Sequence, residues 1–183
     1  MTRILGVDPG LTRLRVGVID HSRGTDVALV MVEVFTTPAD QELSARLLAL
    51  QGQVRDVFDR YEPARVSLER VFAQHNVRTV MGTAQVSGIV LALAAERGIP
   101  VSHRTPSEVK AAVTGYGNAK KPQLGQMVKN ILKLDQVPTP ADAADALALA
   151  ITEAWRGSTL TGAAQPETPA QRAWREALKG RRT

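Results

Sequence analysis

The spacing of apolar positions along this chain switches between strand-like and helix-like periods, and each switch marks a new element. Residues 4–7 are a run of small or branched apolar side chains, the pattern of a strand buried on both faces, because a half-exposed strand would alternate. Pro9-Gly10 stops that strand, since proline lacks the N–H that the next ladder bond needs. Residues 16–19 and 28–35 are two further strand candidates separated by the polar turn 21–26, and three strands in quick succession predict an antiparallel meander. Between residues 40 and 61, Leu43, Leu47, Leu50, Val54, Val57, Phe58 and Tyr61 recur at spacings of three and four, which predicts a long amphipathic helix lying on the sheet. Residues 64–69 return to a period of two, with Val66 and Leu68 on one face and Ser67 and Glu69 on the other. A helix feeding back into a strand favours parallel pairing beside the first strand, which would set Glu69 level with Asp8.

Residues 76–97 read as a second long helix, rich in small side chains that include Gly82 and Gly88. Glycine weakens a helix interior, so its presence suggests close approach by another element, either the sheet beneath or a second copy of the chain. A fifth short strand follows at 99–103, then helices at 107–113, 124–134 and 141–155, with residues 114–122 as the loosest loop. Strands and helices in this order predict an α/β fold with a mixed sheet flanked by helices. From Gly162 the composition shifts to Ala, Gln, Pro, Glu and Arg, with one helix-like piece opened by Thr168-Pro169 and closed by Gly180, and this end is expected to be mobile.

A length of 183 residues suits one domain with a tail, divided here as 1–157 and 158–183. The formal charge of +5 is unevenly placed: the tail holds five basic and two acidic residues, so it carries +3 and the body +2. A nucleic-acid partner must therefore be argued from clusters rather than from the sum. No cysteine is present, which excludes disulfides and thiolate metal sites and agrees with a cytoplasmic location. The unbroken apolar runs are shorter than the ~18 residues of a membrane span, and no charged-then-apolar leader opens the chain, so no membrane association is expected.

Four acids stand out by position. Asp8 would lie at the tip of a central strand, where an unpaired charge is expensive. Glu69 would end the neighbouring strand. Thr139-Pro140 has the form of a helix N-cap and first position, which would put Asp142 in the first turn as a dipole-compensating cap and Asp145 one turn on, flanked by alanines. Asp20 and Glu33 read as solvated. Four carboxylates with no Cys or His set suit Mg²⁺ or Mn²⁺ rather than zinc. Paired divalent ions ~4 Å apart hydrolyse phosphodiesters by activating a water and stabilising the leaving oxygen.

These residues also carry a resemblance. Ile4-Leu5-Gly6-Val7-Asp8-Pro9-Gly10, Leu68-Glu69-Arg70-Val71-Phe72, Met81-Gly82-Thr83-Ala84-Gln85, Thr105-Pro106-Ser107-Glu108-Val109-Lys110 and Pro140-Ala141-Asp142-Ala143-Ala144-Asp145-Ala146-Leu147-Ala148 resemble, in order, the RuvC Holliday-junction resolvase family across about residues 1 to 157. The resemblance implies an RNase H-like fold with a five-stranded mixed sheet and a symmetric homodimer. It implies paired, Mg²⁺-dependent nicking of four-way junction DNA in homologous recombination and repair, with Mn²⁺ able to substitute and two ions per active site. The products would be 5′-phosphate ends, the preferred sequence would have a central TT step, and the RuvAB branch-migration complex would be a partner. The family's catalytic and metal-binding acids fall on Asp8, Glu69, Asp142 and Asp145. Its junction-wedging aromatic falls on Phe72 and its substrate-contacting lysines on Lys110 and Lys121. Before the polar loop 73–76, an exposed Phe72 could stack on unpaired bases, and the two lysines could bind phosphate.

The chain departs from the family in two places. Arg15 stands where the family usually has glycine, and would either crowd the first hairpin or add a phosphate contact near the metals. Lys120 replaces a usual acid and Pro122 follows Lys121, which would pose that loop differently. Two other functions fit the residues as well. One is a catalytically silent junction-binding module, with Arg15 and the altered loop disabling the site; the other is an RNase H-like RNA-processing nuclease.

Overall fold

The first three apolar stretches form the expected meander, β1 (Thr2–Asp8), β2 (Arg13–His21) and β3 (Val27–Thr36). They are followed by α1 (Leu43–Tyr61), β4 (Arg65–Glu69), α2 (Val77–Glu96), β5 (Val101–Arg104), α3 (Pro106–Thr114), α4 (Lys121–Ile131) and α5 (Ala143–Gly157). The computed structural model describes residues 1–71, 77–140 and 142–157. Phe72 and the tail 158–183 lie outside the described residues.

The strands form one sheet in the order β3-β2-β1-β4-β5. β1 runs antiparallel to β2 and parallel to β4, and β4 runs parallel to β5. As the middle strand, β1 is covered on both sides, which explains its lack of alternation. Leu5 and Val7 enter a core with Leu50, Val54 and Phe58 of α1 and Val86, Val90 and Leu93 of α2. Ile4 enters a second core with Val109 of α3, Leu124 and Val128 of α4, and Leu147 and Ile151 of α5.

On that second face α5 lies unusually close to the sheet. Gly6 and Gly17 pair across β1 and β2. A Cβ on Gly6 would stand 2.0 Å from the carbonyl oxygen of Ala146, and one on Gly17 would stand 3.1 Å from the backbone nitrogen of Leu147. The two glycines thus make a bare seat, and the buried Ala143, Ala146 and Ala150 let the helix backbone settle into it.

Several expected boundaries and placements are revised. α1 begins at Leu43 because Glu42 caps it, its side chain accepting from the backbone N–H of Ser44 at 2.7 Å. α4 begins at Lys121, so the supposed loop residues Lys121 and Pro122 are its first turn, and the N–H of Lys120 donates to Gln123 Oε1 at 2.9 Å. The same helix stops at Ile131 because Lys133 takes a left-handed φ of 54°, with the N–H of Leu134 closing back on the carbonyl of Lys129 at 2.9 Å. α5 begins at Ala143, so Thr139 does not cap it and Asp142 precedes the helix. The Thr139 hydroxyl instead donates to the carbonyl of Val137 at 3.4 Å. Asp20 is not simply solvated: it accepts a two-pronged ion pair from Arg3 at 2.9 and 3.0 Å, and this holds its carboxyl below the usual range.

α2 buries Val86, Val90, Leu93 and Ala94 and leaves Val77, Met81, Ala84, Gly88 and Leu91 exposed on its other side. With no charge between Thr79 and Ala95, the segment Thr79–Glu96 is long and apolar enough to cross a membrane by length and composition only, although polar residues break its apolar runs. Of its two glycines, Gly82 faces Leu11, whose side chain would stand 3.1 Å from an added Cβ, whereas Gly88 faces open space. Tight packing against the chain's own elements therefore accounts for the first glycine only.

Candidate active site

The parallel register that pairs Val7 with Leu68 places Asp8 and Glu69 at adjacent strand ends, as the period of the two strands predicts. Side-chain alternation then sets their common face: Gly6 looks toward α5, so Asp8, two residues on, points to the same side. Arg15 is the cross-strand partner of Asp8 and shares that side with Gly17. From above, the first turn of α5 brings Asp145, and the segment before it brings Asp142.

Among the described residues, three cationic side chains meet these acids. Arg15 donates from Nη1 to Asp8 Oδ2 at 2.8 Å and from Nη2 to Asp142 Oδ2 at 2.7 Å. Lys121 places Nζ 3.0 Å from Asp142 Oδ1 and 3.3 Å from Asp145 Oδ2. Arg13 approaches Asp142 Oδ2 at 3.9 Å. Glu69 shares a small pocket with Lys110, Asp145 and Leu124. The structure therefore brings together Asp8, Asp142 and Asp145 through the bridging cations Arg15 and Lys121, with Glu69 and Lys110 beside Asp145.

The acids differ in how their charge is met. Hydrogen bonds and ion pairs from Lys121 and Arg15 pull Asp142 down to about 2. Asp8 is raised despite its bond to Arg15, because burial outweighs that pairing. Glu69 is pushed up to about 7, first by burial and then by the charges of Asp8 and Asp145. Lys121 is raised by its bond to Asp142.

The donor set consists of carboxylate oxygens, the chemistry that a hard divalent ion requires. As the side chains stand, no three acids among the described residues surround one point closely enough to hold an ion. Positive charge is nonetheless present between the carboxylates, supplied by the guanidinium and the ammonium. The residues thus fit a divalent ion in kind, with cationic side chains standing in for it.

Sequence reasoning missed two arginines. Arg13 borders an open groove of about 590 Å³ with Pro9, Leu11, Thr12, Arg15 and Arg46. Arg46, on α1, is buried: its Nε donates to Thr37 Oγ1 at 2.9 Å and its Nη2 to Thr12 Oγ1 at 3.0 Å. It fixes the turn after β1 and so the approach to Asp8. The one cue was an arginine at helical spacing from the buried positions of α1.

Comparison with known proteins follows the same lines. The family described as crossover junction endodeoxyribonuclease RuvC matches residues 4–153. A crossover junction endodeoxyribonuclease RuvC of Leifsonia xyli subsp. xyli is 55% identical, over 96% of this chain and 91% of that protein. One from Thermobifida fusca is 58% identical, over 85% of this chain and 86% of that protein. Among solved structures, Thermus thermophilus RuvC in complex with a Holliday junction substrate aligns with a TM-score of 0.82 at 32% identity, covering 87% of this chain and 96% of that one. The fold is thus RNase H-like, as the resemblance implied.

Proposed function

Because the chain belongs to the RuvC family of crossover junction endodeoxyribonucleases, we propose that it resolves four-way Holliday junctions by paired, metal-dependent nicks in recombination and repair. Asp8, Glu69 and Asp145 would hold Mg²⁺, or Mn²⁺ in its place, with Asp142 as a fourth ligand and two ions per site. Such ions supply an activated water and stabilise the leaving oxygen of the cut strand. What supports this assignment above all is that Asp8, Glu69 and Asp145, drawn from β1, β4 and α5, open on one side of the sheet.

The remaining residues have work that follows from where they stand. Lys110 and Lys121, beside Glu69 and Asp145, bind the scissile phosphate and offset the charge that builds on it. Arg13 lies in the groove that leads to Asp8, where the DNA backbone would run. Phe72, carried by the resemblance alone, would stack at the junction. Residues 1–157 would form the nuclease unit and 158–183 a basic appendage.

Two symmetric cuts need two sites in fixed relation. The exposed apolar side of α2, with Met81 at 55% and Leu91 at 37% exposure, is the surface on which two copies would pair. On this reading that side would meet protein rather than lipid. RuvAB and a cytoplasmic location complete the reading.

The test is Asp8→Asn. The variant should shift a mobile four-way junction in a gel but leave it uncut in Mg²⁺, while the unmodified protein cuts it. Nicking by the variant at the unmodified rate would remove Asp8 from the ligand set. Binding without cutting by the unmodified protein would make it a silent junction-binding module instead.

A further inference from the structure

We propose that Arg15 is the resident counter-cation of the acidic site, which a divalent ion must displace, so that this residue sets the ion concentration at which the site loads. The inference rests on the metal-site reading above and adds a role for one side chain of this protein.

Three observations carry it. First, Arg15 uses its two terminal nitrogens on two different candidate ligands, Asp8 at 2.8 Å and Asp142 at 2.7 Å. It takes the Oδ2 oxygen of each, and an ion ligated through those oxygens would need the same space and bring like charge beside the guanidinium. Second, no further hydrogen bond anchors the guanidinium through its third nitrogen: its buried Nε has no hydrogen-bond partner among the described residues. Third, there is somewhere to go, because Arg15 also lines the open groove of about 590 Å³ beside Pro9 and Arg13. Lys121 differs: its ammonium is exposed and reaches the acids from their outer side, from where it can withdraw into solvent. The strand position of Arg15 makes the guanidinium the inner gate. Once displaced into the groove, it can meet a DNA phosphate, so ion binding and DNA binding would favour one another.

Mn²⁺ alone, titrated by calorimetry into the metal-free full chain without DNA, tests the idea. Arg15→Gln should bind Mn²⁺ on the order of tenfold more tightly than the unmodified protein. Its metal-free melting temperature should fall, since the carboxylates lose their counter-charge, and Mn²⁺ should raise it by more than in the unmodified protein. Arg15→Lys keeps the charge but cannot fork across two carboxylates, and should fall between the two. The Nε–H resonance of Arg15 in the unmodified protein should move when Mg²⁺ is added, a readout that needs no variant to fold. Equal Mn²⁺ affinities in all three proteins, or an unmoved resonance at saturating Mg²⁺, would overturn the proposal. Failure of every protein to bind Mn²⁺ would instead overturn the metal-site reading, and this inference with it.

Discussion

Replacing Glu69 by glutamine should make the metal-free protein more stable above neutral pH, because this carboxylate is held where its charge is unwelcome. Its pKa rises from 4.5 to about 7, through burial first and the neighbouring charges of Asp8 and Asp145 second. The unfolded chain releases that proton near its ordinary value, while the folded chain keeps it until about 7. Over that interval the native state binds more protons, so its stability falls as pH rises, and above the interval the whole cost is present. The rise from 4.5 to about 7 corresponds to about 3 kcal/mol, and partial solvent access of Glu69 reduces it toward about 2 kcal/mol. Glutamine keeps the shape without the charge. Urea unfolding in a chelator, followed by circular dichroism, should give Glu69→Gln an advantage of about 2 to 3 kcal/mol at pH 8 that shrinks toward zero near pH 4.5. Added Mg²⁺ should reverse the order at pH 8, since only the carboxylate gains from the ion. An advantage of the same size at both pH values, or no advantage at pH 8, would refute the argument that Glu69 bears an uncompensated charge.

Two further perturbations probe the scaffold. Gly6→Ala would drive a methyl group to 2.0 Å from the carbonyl oxygen of Ala146, backbone against backbone, and should cost about 3 kcal/mol in thermal unfolding and junction cleavage with it; a variant as stable as its parent would disprove the close seat of α5. Leu91→Glu places a charge on the exposed side of α2 and should give a folded monomer by sedimentation that has lost symmetric double nicking; an unchanged dimer would move the interface elsewhere.

How much of this was legible in the sequence depended on whether the signal was local. Asp8 and Glu69 could be aligned in advance because a period of two fixes which side a residue faces and the helix between the strands fixes their direction. The start of α5 was misread because Thr139-Pro140 has the local form of a cap, whereas Asp142 is held by Arg15, 127 positions away, and by Lys121. Asp20 was assigned to the exterior and Arg46 went unnoticed for the same reason: their partners, Arg3 on β1 and Thr12 and Thr37 in the turns flanking β2 and β3, are brought near only by folding. Gly6 looked like one more small residue in an apolar strand until the register set it opposite Gly17.

The seat that Gly6 and Gly17 offer to α5 has a consequence for how such a nuclease can change. The span between Asp8 and Asp145 is fixed by main chain touching main chain, so it behaves as a rigid caliper that side-chain substitutions nearby cannot reset. Adjustment is left to the long cationic arms, Arg15 and Lys121, which reach into the caliper from a strand and from a helix start. Divergence among close relatives in their appetite for metal should accordingly be written in those arms, while the jaws stay as they are.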